Sequence, residues 1–146
     1  MTSTVSPKEA RAAIVENRAL LQAALHGAAT NWERKPEAGA GEDAWSPKQT
    51  AEHLIDAELF FTSAIAQACG APALERPKLE VAAPADAAAT ATRVGATCDN
   101  ILRHVSDGDL PKTWELRGLG VKSVAEMLAI MNSHAQDHVS QIKAAS

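Results

Sequence analysis

The chain has 146 residues and a formal net charge of -4, with 46% hydrophobic and only 3% aromatic residues. That length fits one domain, residues 1–146, with a core of its own, and the apolar content excludes wholesale disorder. Scattered Lys and Arg and too few aromatics for base stacking exclude a nucleic-acid surface, and no apolar run is long enough to cross a bilayer.

With no Tyr at all, Ala, Leu, Val and Ile must fill the interior. A core of small residues favours closely packed helices over a sheet, because Ala is the best helix former and poor in strands. The stretch Met1–Lys8 is polar and lacks a signal-peptide core, so a cytoplasmic protein is expected. In a reducing compartment Cys69 and Cys98 are then expected as free thiols.

The first helix starts at Ser6-Pro7-Lys8-Glu9, which offers a capping hydroxyl, proline at the first helical position and a capping-box Glu. Ala10, Ala13, Ile14, Leu20, Leu21, Ala24, Leu25 and Ala28 form its apolar stripe, interrupted by Asn17, a candidate buried polar residue. Residues 33–45, with Pro36, Gly39 and Gly41, read as a loop. A second start follows at Ser46-Pro47-Lys48-Gln49, and its stripe carries His53 on the core face beside Leu54, Ala57 and Phe61. Gly70 and Pro72 stop this helix.

Pro72, Pro77 and Pro84 stiffen a connection long enough to cross the end of a bundle. A weaker stripe predicts the third helix over about 85–106, with Gly95 a cost of ~1 kcal/mol in its interior. Residues 107–121 form a second long connection in which Lys112–Leu116 is briefly extended. The fourth helix opens at Ser123 with Glu126 as capping box, and its stripe includes Met127, Leu128, Met131, His134, His138 and Ile142. The elements predict an all-α four-helix bundle with long crossover connections, so that a simple up-down-up-down order is not required.

Three of the five histidines therefore fall on apolar stripes. His134 and His138 are four residues apart and share one helix face, one turn apart. His53, from a facing helix, can supply a third imidazole. Three nitrogen donors leave a coordination position open, which is how catalytic zinc sites are built, and bundle interiors are where facing helices assemble metal sites. His26 and His104 lie near helix C-termini, where positive charge is favoured, and are assigned to capping.

Two stretches also resemble a known family. Trp45-Ser46-Pro47 followed by His53-Leu54 resembles the second-helix motif of the DinB/YfiT-like superfamily. Ser123-Val124-Ala125-Glu126-Met127-Leu128 leading to His134-x-x-x-His138 and Gln141-Ile142 resembles its last-helix motif. The likeness follows the helix order over nearly the whole chain and is vague in the middle third. It implies a crossed four-helix bundle, a homodimer, and a divalent metal ion, zinc or nickel, held by His53, His134 and His138.

Such an ion activates water for hydrolysis of a small-molecule amide or ester; alternatively it activates a thiolate, as in the thiol-dependent transferases and isomerases among relatives, or it serves a non-catalytic binding or dimerisation protein. Hydrolysis wants a general base, and no carboxylate holds the position that zincins use between paired histidines. Glu52, Asp56 and Asp137 flank the histidines and are either solvated charges or supports for the ligand rings. Trp45 is read as a hydrophobic staple onto Gln49 or a neighbour, Trp32 as a cover for a bundle end, and Trp114 as a cover or a pocket wall.

Overall fold

The computed structural model describes residues 5–37 and 39–146; the first four residues of the polar N-terminal stretch lie outside these. Four helices carry the fold: α1 (Pro7–His26), α2 (Pro47–Ala68), α3 (Pro84–Leu102) and α4 (Val124–Ala145). A two-stranded antiparallel hairpin, β1 (Thr113–Leu116) and β2 (Gly120–Ser123), precedes α4. The fold is all-α apart from this hairpin.

Helix starts obey the sequence. Ser6, Ser46 and Ser123 accept from the backbone N–H three residues on, and the Gln49 and Glu126 side chains close capping boxes in return. α3 begins one residue earlier than expected, at Pro84, where the Asp86 carboxylate accepts from Ala83 N–H. It also ends earlier, at Leu102, because residues 103–110 tighten into turns, the last of them closed by Asp109 accepting from Ser106 N–H and Oγ. The expected extended piece is β1. Its partner β2 gave no sequence signal, because pairing depends on a turn in which Gly118 and Gly120 take φ of 83° and 80°.

The helices pack in a closed ring, α1 against α3 and α4, and α2 against α3 and α4. Contacts fix their directions. Arg11 reaches Leu102 while Gln22 reaches Ala88, so α1 and α3 are antiparallel. Asn17 meets Asn132 and Asn31 meets Ala145, so α1 and α4 run together. The order is up, down, down, up, which the long connections permit.

The proline-rich connection differs from expectation. It does not cross the bundle end but runs back along α2: Leu74 N–H donates to Ser63, Arg76 pairs with Asp56, and Val81 N–H donates to Glu52. Stiff, extended chain spans the length of a helix more readily than it bends across an end. The crossings at the ends fall instead to residues 27–46 and to the segment containing the hairpin.

Two apolar clusters fill the ring. One gathers Ile14, Phe61, Ile65, Leu102, Met127 and Leu128 near the hairpin; the other gathers Leu25, Trp32, Ile55, Val81, Ala87 and Ile142 at the opposite end. Asn17 is buried as expected, and its amide donates to Asn132 Oδ1 at 2.9 Å, so the break in the α1 stripe is a satisfied polar link to α4.

Candidate metal centre

His53 lies less than two turns into α2, and His134 lies at the middle of α4 and His138 in its C-terminal half, α4 packing on α2 in the opposite sense. The three rings meet. Nε2 of His134 is 3.0 Å from Nε2 of His53 and 3.1 Å from Nε2 of His138. Among the described residues these three form the cluster of side chains able to share a cation, and His26 and His104 stand apart from it at their helix ends. Two imidazole nitrogens bound tetrahedrally to one zinc at about 2.0–2.1 Å lie about 3.3 Å apart, so the spacing fits such an ion closely.

The orientation of His138 fits as well. The Gln141 amide nitrogen donates to the backbone carbonyl of Glu42, which leaves its Oε1 facing Nδ1 of His138 at 2.9 Å. That contact occupies Nδ1 of His138 and turns its Nε2 toward the other two rings. Fixing a ligand ring through its second nitrogen is the usual support for metal-binding histidines. Gln141 lies on the same helix face, three residues beyond His138.

Of the flanking carboxylates, Glu52 and Asp56 are engaged by the proline-rich connection, and Asp137 is exposed. None of these orients a ring. Two residues that the sequence did not single out for the site come from the α1–α2 loop. The Trp45 ring meets His53 edge-on at 4.8 Å and stacks over His138 at 6.2 Å, so it walls the cluster. Glu42 places one carboxylate oxygen 3.8 Å from His53 Nε2 and the other 3.7 Å from His138 Nε2. Trp32 is buried and donates to the Val81 carbonyl, while Trp114 lies on the hairpin and is 38% exposed.

A cavity inside the bundle adjoins the cluster. Leu54, Phe61, Met131 and His134 line it, and Arg18 and Glu58 close its far side. Both thiols are free: Cys98 is buried, which pushes its pKa up to about 12, and burial raises Cys69 as well.

Burial, reinforced by charge on the neighbouring rings, lowers the pKa of His53 and brings His134 down to about 4, although Glu42 opposes the shift in both. Neutral rings are the ligating form. In metal-free protein the unfolded chain then holds more protons than the folded one as pH drops from about 6.5 toward 4, so this stabilisation is present above that window and lost through it. The urea midpoint of stripped wild type should therefore fall more between about pH 7.5 and pH 4.5 than that of His134→Gln. Parallel falls in the two proteins would contradict this.

An all-α bundle with three imidazoles converging between two facing helices defines a protein able to hold a metal ion. The model of the DinB superfamily matches residues 13–142, and the chain belongs to that superfamily. No match was found among curated proteins or solved structures. Among the described residues, no helix is long and apolar enough to cross a membrane.

Proposed function

We propose that this protein, acting as one domain, binds a divalent ion, zinc or nickel, through His53, His134 and His138, and is a metal-dependent hydrolase of a small molecule. The observation that carries the reading is the convergence of three Nε2 atoms, that of His134 lying 3.0 and 3.1 Å from the other two, with His138 oriented by Gln141. Bound by neutral imidazoles, such an ion retains its full charge and supplies the Lewis acidity that activates water toward an amide or ester.

The protein's own groups do the rest. Gln141 holds His138 in its ligating orientation, and Trp45 screens the cluster on the loop side. His53 keeps a third of its side-chain surface exposed, at 33%, which leaves an approach from solvent. The cavity beside His134 offers apolar walls to a substrate.

Elemental analysis of untagged protein should find one divalent ion per chain. Turnover of small esters or amides should vanish with chelation and return with Zn²⁺ or Ni²⁺. Turnover that requires an added thiol would move the reading to a thiol-dependent transferase, and a full complement of metal with no turnover in either assay would sink the catalytic reading.

A further inference from the structure

The α1–α2 loop brings a negative charge to the mouth of the histidine cluster. Glu42 sits in a single 3-10 turn, Gly41–Ala44, and its side chain is 55% exposed. Its two carboxylate oxygens are divided between two rings, 3.8 Å from His53 Nε2 and 3.7 Å from His138 Nε2. Neither distance is a hydrogen bond. Gln141 occupies Nδ1 of His138, so Nε2 is the ring nitrogen turned toward the carboxylate and the other two rings. Three ring nitrogens and two carboxylate oxygens are thus gathered at one mouth, a donor set of the kind that holds a divalent cation.

The placement is enforced by the backbone. The Glu42 carbonyl accepts from Gln141 Nε2 and from Trp45 N–H, so the same amide that orients His138 also fixes the turn carrying the carboxylate. Gly41 enters that turn at φ 58°, in the left-handed region that side-chain-bearing residues rarely adopt.

Resting on the three-histidine reading above, we propose that Glu42 is a fourth protein donor to the bound cation. A carboxylate oxygen is an ordinary zinc ligand beside imidazole. Toward His53 and toward His138 the gap to ligand spacing is a few tenths of an ångström, and rotation of the exposed side chain is what would bring one oxygen to the shared point. The carboxylate also halves the net charge that three neutral rings leave on a divalent ion. Glu42 then occupies the position that three histidines leave open, and water or substrate reaches the ion where this exposed carboxylate gives way. The loop is in turn latched to the helices it crosses.

The test is a Zn²⁺ titration against a chromophoric chelator, paired with the visible spectrum of the Co²⁺-loaded protein. Glu42→Gln should bind Zn²⁺ at least about 10-fold more weakly than wild type and change the Co²⁺ bands, because a donor has been replaced. Asp43→Asn, which removes a charge from the same turn, should change neither. A Glu42→Gln protein with wild-type affinity and an unchanged Co²⁺ spectrum overturns the proposal, as does an equal weakening by Asp43→Asn, which would reveal a diffuse charge effect. His53→Ala, run alongside, separates the two readings. If it loses Zn²⁺ while Glu42→Gln does not, the three-histidine centre stands without Glu42. If wild type takes up no Zn²⁺, both fall.

Discussion

Alanine at His134 should leave a folded protein that no longer retains a divalent ion. His134 is the cleanest of the three positions to truncate, because it is half-buried, whereas His138 is only 5% exposed and its loss would also open a cavity. Elemental content should drop from one ion per chain to nearly none. The second readout is thermal. Zinc supplied at about 100 times its Kd stabilises a binding-competent fold by ~2.7 kcal/mol, which in a chain of this length raises Tm by roughly 5–11 °C. Wild type should show that rise and His134→Ala should not, while His26→Ala and His104→Ala should behave as wild type. Full metal content in His134→Ala would remove the basis of the functional reading.

The largest effect on stability away from the centre is expected at Arg18. Its guanidinium bonds Asp99 with both terminal nitrogens, at 3.0 and 3.1 Å, and also pairs with Glu58, so it joins α1, α2 and α3. The Arg18 and Glu58 side chains are only 15% and 16% exposed. Burial pushes the Glu58 carboxyl above its usual range, and Arg18 holds it back. Arg18→Met fills similar space but leaves that carboxylate without a partner. Breaking a buried pair costs 3–5 kcal/mol, and the solvent left to these groups places the expected loss near ~3 kcal/mol, or roughly 6–12 °C in Tm. Arg18→Met combined with Glu58→Gln should recover most of it. A double variant no more stable than Arg18→Met would show that the unpaired charge is not the cause.

That cluster explains a residue the sequence presents only as a weakness. Gly95 in α3 looks like a plain cost in helix propensity. In the folded chain a Cβ there would collide with Nε, Cζ and Cδ of Arg18, so the missing side chain is what lets the guanidinium cross to Asp99 and Glu58. Propensity concerns the helix alone, and the reason for this glycine lies on another helix.

The same division runs through the rest of the molecule. Ser6, Ser46 and Ser123 announce their helices because capping is local, completed within four residues. His53, His134 and His138 are legible because helical periodicity puts them on faces that must be buried. Trp45 and Glu42 are not legible as site residues. Their positions follow from how residues 27–46 cross the bundle end, which the Lys48 N–H to Trp32 carbonyl bond and the Gln141 side chain settle only after the helices have packed. The return of the proline-rich connection along α2 is likewise written in contacts with Ser63, Asp56 and Glu52 that no local pattern reveals.

His53 and His134 are 81 positions apart along the chain. Closing so large a loop around a solute atom would be entropically expensive for an open polypeptide, and the polypeptide closes it through its own apolar contacts instead. On the proposed reading, an incoming ion would meet rings that the packed helices have already drawn together, and it would tighten the native state by mass action.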